Sequence, residues 1–285
     1  NLIDKKKEGR AMNSLDKILA KLPAEIGEQI KGLPSHMKKN LEEIRIRNGH
    51  NIVLYASGKE YEMESKNGVK IDNFMINNIF NSLLNHSVYA YQEELANGYI
   101  TIEGGHRVGV CGRTVLEGGK VKTIKDISSI NIRRSREIIG VSDPCMGYLS
   151  KGKHQIYNTI IISPPKCGKT TLLRDMIRNF SNMGLQVGVC DERSEISGMY
   201  NGQPSYDMGI RTDILDGCPK EKGMIMLIRS MSPDLIATDE IGKKEDCHAI
   251  EAAVCAGVSL LATIHGSSYE DVKNSGIGEL VEEGV

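Results

Sequence analysis

Tryptophan is absent from this sequence of 285 residues, and phenylalanine occurs only three times. Proteins that hold single-stranded nucleic acid usually stack bases on aromatic side chains, so this composition offers little for such binding. The charge balance points the same way. The chain has 36 Lys and Arg against 37 Asp and Glu, a net charge of −1, whereas nucleic-acid-binding domains are usually basic. We therefore expect no nucleic acid among its partners.

Long apolar runs and metal-binding motifs are missing as well. Apolar stretches such as TIII (159–162) and VSLLATI (258–264) are far shorter than the ~20 residues of a membrane-spanning helix. The seven cysteines include no C-x-x-C pair, and the seven histidines no H-E-x-x-H. This pattern argues against a structural metal and favours reduced thiols. We expect a cytoplasmic protein.

The pattern of predicted helices and strands changes near the middle of the sequence. This change predicts two domains, 1–135 and 151–285, joined by a linker over 136–150. The first mixes helical and antiparallel-strand patterns, as in a small α+β domain. In the second, apolar runs alternate with amphipathic helices, which indicates a parallel sheet covered by helices. Its first run, YNTIIIS (157–163), predicts a strand buried on both faces. The second domain ends in an acidic segment without a clear terminating element, so we expect this domain to be truncated at its C-terminus.

Local patterns in the first domain predict particular elements. Gly118-Gly119 predicts a two-residue hairpin turn, because both positions tolerate positive φ. Residues 43–63 indicate two strands around a turn at Asn48-Gly49. An apolar stripe at helical spacing over 72–97 predicts a helix that ends at Gly98.

A phosphate-binding loop follows the first strand of the second domain. Residues 163–171, SPPKCGKTT, match the closing half of G-x-x-x-x-G-K-[ST], with Ser163 in place of the opening glycine. Lys169 would reach the β- and γ-phosphates of ATP, and the Thr170 hydroxyl would ligate Mg²⁺. The alternative is an ordinary strand–turn–helix. The residues predicted to bind the nucleotide are Ser163, Pro164, Pro165, Lys166, Cys167, Gly168, Lys169, Thr170 and Thr171.

Carboxylates follow two further predicted strands of this sheet. Asp239 and Glu240 end one strand, and Asp191 and Glu192 end another. Because the carboxyl ends of parallel strands meet at one edge, we predict that Asp239 and Asp191 join Thr170 as magnesium ligands. Asp239, Glu240 and Glu192 are predicted to be catalytic, with Glu240 polarising the attacking water. The alternatives are helix capping by Asp239 or Glu240, and a solvated acidic turn.

His265 ends a further predicted strand and would sense the γ-phosphate through a hydrogen bond; the alternative is a structural histidine. Lys169 and His265 complete the predicted catalytic set. Phosphoryl transfer often recruits an arginine from a neighbouring subunit, but spacing alone does not identify it. The candidates are Arg193, Arg211, Arg229, Arg107, Arg113, Arg133 and Arg134.

Several segments together resemble the secretion (traffic) ATPases, which drive type II and type IV secretion and pilus assembly. LIRSMSPDLIATDEIGKKED (227–246) is similar to their Walker B segment, ATIHG (262–266) to their His box, and CDERSEI (190–196) to their Asp box. Within that superfamily the chain resembles the stage III sporulation AA branch. The segments that carry this likeness are SPPKCGKTTLLRD, DERSEISGMYNGQPSYDMGIRTDILDGCPK, GYITIEGGHRVGVCGR and NIRRSREIIG.

The resemblance implies a fold, cofactors and partners. It implies an α/β P-loop NTPase domain of the RecA-like kind, with a smaller N-terminal α+β domain, that uses ATP and Mg²⁺. A homo-oligomeric, hexameric ring would serve membrane proteins of the channel between mother cell and forespore. The chain would then lie in the mother-cell cytoplasm, peripheral to the membrane through those partners. A nucleic-acid-dependent ATPase, a nucleotide-gated scaffold that barely turns over and, more weakly, a GTPase switch remain as alternatives.

Overall fold

The computed structural model describes residues 14–63, 70–152, 155–165 and 167–283. The chain divides into two compact units, Asn1–Arg136 and Glu137–Val285. The loop residue Lys166, predicted to bind nucleotide, lies outside the described residues.

The first unit combines helices with an antiparallel sheet of strand order β3-β2-β1-β6-β5-β4. Its elements are α1 (Ser14–Leu19), α2 (Ala24–Lys31), α3 (Ser35–Asn40), β1 (Leu41–Arg47), β2 (Ile52–Ala56), β3 (Lys59–Met63), α4 (Asn73–Leu83), a 3₁₀ turn (Val88–Tyr91), α5 (Gln92–Ala96), β4 (Tyr99–Ile102), β5 (His106–Glu117) and β6 (Lys120–Arg133).

Alternation along the strands places the core of this unit on one face of its sheet. In β1, Ile44 and Ile46 are buried while Arg47 is exposed, as expected for successive side chains that point to opposite faces. The long β5–β6 hairpin turns at Gly118 and Gly119, with φ of 58° and 79°. Positive φ at both turn positions is the type I′ requirement, so the predicted hairpin turn is confirmed.

Two predictions for the first unit are wrong in detail. The helical stripe over 72–97 is interrupted, because α4 ends at Leu83 and is followed by Asn85 and His86 at φ of 49° and 60°. Left-handed residues of this kind end a helix. The apolar spacing continues past that break, so periodicity alone does not reveal it. Residues 41–63 form three strands, β1 to β3, where two were predicted.

The second unit is built on a parallel sheet of strand order β7-β11-β10-β8-β9. Its elements are α6 (Asp143–Leu149), β7 (Thr159–Ser163), α7 (Lys169–Asn182), β8 (Val187–Asp191), β9 (Thr212–Asp216), α8 (Lys220–Met231), β10 (Leu235–Thr238), α9 (Lys244–Cys255), β11 (Ser259–His265), α10 (Tyr269–Lys273) and α11 (Gly278–Glu282).

Strand β7 differs from its prediction. It lies at the edge of the sheet, and all five of its residues are only half-buried, whereas the run YNTIIIS predicted burial on both faces. β8 and β10 lie inside the sheet and are buried along their whole length. A continuous apolar run reports a hydrophobic strand but not its place in the strand order.

The segment predicted as a linker contributes to the second unit. It contains α6, whose Cys145, Met146 and Leu149 pack against the core cluster around Phe180. Nearby, the Asp175 carboxylate of α7 accepts hydrogen bonds from the backbone N–H and the hydroxyl of Ser142, both at 2.8 Å. These contacts join residues 140–149 to the sheet domain.

Candidate nucleotide site

The strand order brings three loops to one edge of the sheet. β11 lies between β7 and β10, with His265 opposite Ser163 and Ala262 opposite Thr238. The phosphate-binding loop leaves β7 at Ser163, and Asp239 follows β10. In a parallel sheet the carboxyl ends of the strands form the usual ligand-binding edge. His265 therefore stands between the loop and the carboxylates.

The loop is closed by its own lysine. Gly168 caps α7 at φ 88°, a left-handed conformation that favours glycine. The buried Lys169 Nζ donates to the carbonyl oxygens of Ser163, at 2.8 Å, and Pro164, at 3.0 Å. Pro165 and Cys167 are exposed, as is Pro164. The first N–H groups of an α-helix lack intrahelical acceptors, so the start of α7 offers donors and a positive dipole end that favour a phosphate.

A contact chain joins this lysine to a catalytic candidate. Lys169 Nζ lies 2.9 Å from Nδ1 of His265, and Nε2 of His265 lies 3.4 Å from Oε1 of Glu240. Because an ammonium group has only donors, Nδ1 accepts and Nε2 carries the ring proton that faces Glu240. The structure thus brings together Lys169, His265 and Glu240, which the sequence places far apart.

Glu240 itself has an unusual backbone. Its φ is 44°, in the left-handed region, which costs a non-glycine residue roughly 1–2 kcal/mol. Buried Thr263 of β11 accepts the backbone N–H of Glu240 on its hydroxyl, at 3.0 Å, and the N–H of Ile241 on its carbonyl, at 2.8 Å. Across the site, Nη1 of Arg193 lies 2.9 Å from Oε2 of Glu240.

Asp239 and Thr170 have oxygens that suit a magnesium ion. Burial raises the pKa of the Asp239 carboxyl to about 6, and the nearby Asp191 adds to this, while Lys220 opposes it. Among the residues that the structure describes, none donates a hydrogen bond to the Asp239 carboxylate, and none bonds the Thr170 hydroxyl. Hard oxygen donors are what Mg²⁺ prefers, so both residues fit the ion.

Asp191 does not fit the magnesium role predicted for it. Its fully buried carboxylate accepts the backbone N–H groups of Glu195 (2.9 Å), Ile196 (3.1 Å) and Ser197 (2.8 Å), and the Ser197 hydroxyl at 2.7 Å. Burial raises the pKa of this carboxyl, and the bonds from Ser197 and Ile196 oppose the rise. Asp191 holds the loop that follows β8, so we do not retain it as a metal ligand.

Glu192 is likewise engaged elsewhere. Its carboxylate pairs at 2.7 Å with Nζ of Lys220, the buried first residue of α8. Burial lowers the pKa of Lys220, but the hydrogen bond and charge of Glu192 outweigh it and leave the pKa raised. In the described parts of the chain, no contact joins Glu192 to Lys169, His265 or Glu240.

Sequence reasoning missed two residues that shape the site. Thr263 lies inside an apolar strand, in the ATIHG segment of which only His265 was singled out. Arg174 of α7 is buried, and it donates to the carbonyl of Ile196 at 2.6 Å and that of Glu195 at 2.9 Å. Its guanidinium also stacks 3.7 Å from the ring centroid of Tyr206. The available signal was the position of Arg174 beside Leu173 on the apolar face of α7.

The fold is that of the secretion-type P-loop NTPases, a parallel-sheet domain with a smaller N-terminal α+β domain, as the sequence predicted. The ATPase DotB of Legionella pneumophila matches with a TM-score of 0.55 at 16% identity, over 90% of this chain and 69% of that chain. The pilus retraction motor PilT, solved with bound ADP, matches with a TM-score of 0.57 at 14% identity, over 89% and 69%.

Sequence comparison then gives the particular family. The chain belongs to the family described as Sporulation stage III, protein AA, whose model matches residues 12–285. It is 40% identical over 275 residues to the Stage III sporulation protein AA of Bacillus subtilis (strain 168), covering 94% of this chain and 88% of that protein. The resemblance stated from the sequence motifs is confirmed.

Proposed function

We propose that the chain is a Mg²⁺-dependent ATPase that energises assembly of, or secretion through, the mother cell–forespore channel during endospore formation. The observation that carries the ATPase assignment is the contact chain from Lys169 through His265 to Glu240, at the helix start beside the carboxyl edge of a parallel sheet. The family membership supports the sporulation setting.

The residues divide the work between binding and hydrolysis. Lys169 exchanges the carbonyls of Ser163 and Pro164 for phosphate oxygens, and the N–H groups at the start of α7 bind the same phosphates. Glu240 takes a proton from the attacking water as general base. Asp239 and Thr170 would hold the magnesium ion. When bound, Mg²⁺ supplies positive charge that offsets the charge growing on the phosphate oxygens.

The quaternary and cellular parts of the proposal rest on the family. We propose a hexameric ring in the mother-cell cytoplasm, held at the membrane by membrane proteins of the channel. Within the described residues, no helix is both long enough and apolar enough to cross a bilayer. Sedimentation with a non-hydrolysable ATP analogue should yield the ring. A strictly monomeric chain, with nucleotide and with membranes of sporulating cells, would contradict it.

Phosphate release from ATP tests the ATPase assignment. The wild-type chain should release phosphate only when Mg²⁺ is present. Glu240→Gln should abolish release but keep ATP binding, because the amide cannot accept the proton. Lys169→Ala should remove ATP binding in calorimetry, because the phosphates lose their charged donor.

Matched controls come from an exposed ion pair in the first unit. Glu117 and Lys122 pair at 2.8 Å, so Glu117→Gln and Lys122→Ala repeat the same chemical changes outside the site. Both should leave ATP binding and phosphate release unchanged. Binding without release in the wild type, unaffected by Glu240→Gln, would instead indicate a nucleotide-gated scaffold.

A further inference from the structure

Arg193 contacts the predicted general base from a separate loop. Its Nη1 lies 2.9 Å from Oε2 of Glu240, the shorter of the two side-chain contacts that Glu240 makes within the described residues. The other, from Nε2 of His265 to Oε1, is 3.4 Å long. An arginine–carboxylate hydrogen bond near 2.9 Å is charge-assisted and directional. The two carboxylate oxygens are therefore held by different partners, and Arg193 provides the closer one.

The two anchors of Glu240 differ in how they respond to nucleotide. His265 is coupled to the phosphate-binding loop, because its Nδ1 accepts from Lys169 Nζ at 2.9 Å. When Lys169 turns to a phosphate, that bond is broken and His265 loses one of the contacts that hold its ring. Among the described residues, no contact joins Arg193 to Lys169: Arg193 follows β8, whereas Lys169 follows β7. The Arg193 contact can persist through the exchange.

The loop that carries Arg193 is held from both sides. Upstream, the Asp191 carboxylate accepts the backbone N–H groups of the next turn, down to Ser197 at 2.8 Å. From α7, buried Arg174 donates to the carbonyls of Glu195 and Ile196. A side chain on a preorganised loop holds its partner more precisely than one on a mobile segment. The buried network explains how an exposed arginine keeps a defined position.

We infer that Arg193 is a positioning residue for Glu240, acting within the same chain. It holds Oε2 and leaves Oε1 as the oxygen that meets water. The inference rests on the proposed ATPase function. It assigns Arg193 no contact with ATP and so separates it from an arginine donated by a neighbouring subunit.

Steady-state hydrolysis and nucleotide affinity test the assignment together. Arg193→Ala should lower kcat for ATP roughly tenfold or more, while KM and the Kd of an ATP analogue stay within about twofold. Arg193→Lys should recover part of the rate, since it restores a cationic donor without the guanidinium geometry.

The matched control is Arg45→Ala, which breaks a 2.8 Å arginine–glutamate pair with Glu43 in the first unit and should leave kcat and KM unchanged. A loss of nucleotide affinity with Arg193→Ala would overturn the inference in favour of a phosphate ligand. A faster reaction would also overturn it, because Arg193 would then restrain Glu240 from acting as the base.

A second readout works without turnover. In protein labelled with ¹³C at glutamate carboxyls, the Glu240 signal is identified by its loss in Glu240→Gln. Without nucleotide, it should shift in Arg193→Ala but not in Arg45→Ala. An inactive wild type with this shift would refute the proposed function yet retain the pairing. No shift would refute the positioning role, whatever the activity.

Discussion

Replacing Asp239 by asparagine should make the nucleotide-free protein more stable while it abolishes hydrolysis. In the folded chain the pKa of this carboxyl rises from 3.8 to about 6, first because it is buried and then because of Asp191. Each pKa unit corresponds to about 1.4 kcal/mol, so keeping Asp239 ionised near pH 7.5 costs about 3 kcal/mol of folding free energy. Asparagine preserves the shape of the side chain and removes that charge.

The sign of the pH dependence follows from the direction of this pKa change. Between pH 3.8 and about 6 the folded state keeps a proton on Asp239 that the unfolded state has released. The contribution of Asp239 to stability therefore falls as pH rises through this window, and the full loss is present above it. The advantage of Asp239→Asn should be about 3 kcal/mol at pH 7.5 and below about 1 kcal/mol near pH 4.

Urea unfolding followed by far-UV circular dichroism, without nucleotide or Mg²⁺, measures this difference. Asp126→Asn is the control, because Asp126 is exposed and pairs with Arg113 in the first unit. Its stability should change little at either pH. An Asp239→Asn variant less stable than wild type at pH 7.5, or one whose advantage is the same at both pH values, would refute the reasoning. Restored phosphate release in the variant would refute the magnesium role.

Three further predictions concern buried groups. Asp191→Ala should destabilise the fold by about 3 kcal/mol in urea unfolding, because backbone N–H groups lose their buried acceptor. A variant that stays as stable as wild type but depends less on Mg²⁺ would instead support Asp191 as a metal ligand. Gly223→Ala should lower the free energy of unfolding by about 1–3 kcal/mol, because the added Cβ would lie 2.4 Å from Cys190 Sγ. Gly147→Ala is the control: its Cβ meets nothing within 4 Å, so the change should be neutral or stabilising. Burial lowers the pKa of His106 to about 4, so the contribution of His106 to stability should fall as pH drops from 6.5 toward 4. Relative to wild type, His106→Gln should therefore gain urea stability as pH falls through this window; a difference that does not change with pH would contradict it.

The sequence predicted the fold of the second unit well because its strong local signals agree with the tertiary structure. The helix from Lys169 has apolar residues at helical spacing, and the strands that end at Asp191, Thr238 and His265 are apolar runs followed by polar residues. Strand β9 was missed, because Thr212–Asp216 is half-polar and half-exposed. The edge position of β7 also escaped, since strand order is set by long-range pairing.

Local sequence signals also decide which site residues could be predicted. Lys169, Asp239, Glu240 and His265 follow recognisable strands, so topology alone brings them to one edge. Asp191 occupies an equivalent place in the sequence, yet its carboxylate points into its own loop and meets backbone N–H groups. Whether a carboxylate faces the ligand or its own backbone depends on loop conformation, which spacing does not record.

In the proposed function, the contacts of Lys169 make nucleotide binding an exchange rather than an addition. Its ammonium already donates to the carbonyls of Ser163 and Pro164 and contacts His265. A phosphate must therefore displace acceptors that the ammonium already has. The net gain comes from exchanging neutral acceptors for charged ones, which make hydrogen bonds roughly twice as strong. Because one of the displaced partners is the histidine that faces Glu240, loading the loop changes the surroundings of the general base. Because β11 lies between β7 and β10, His265 is within reach of both Lys169 and Glu240, and this position makes the coupling possible.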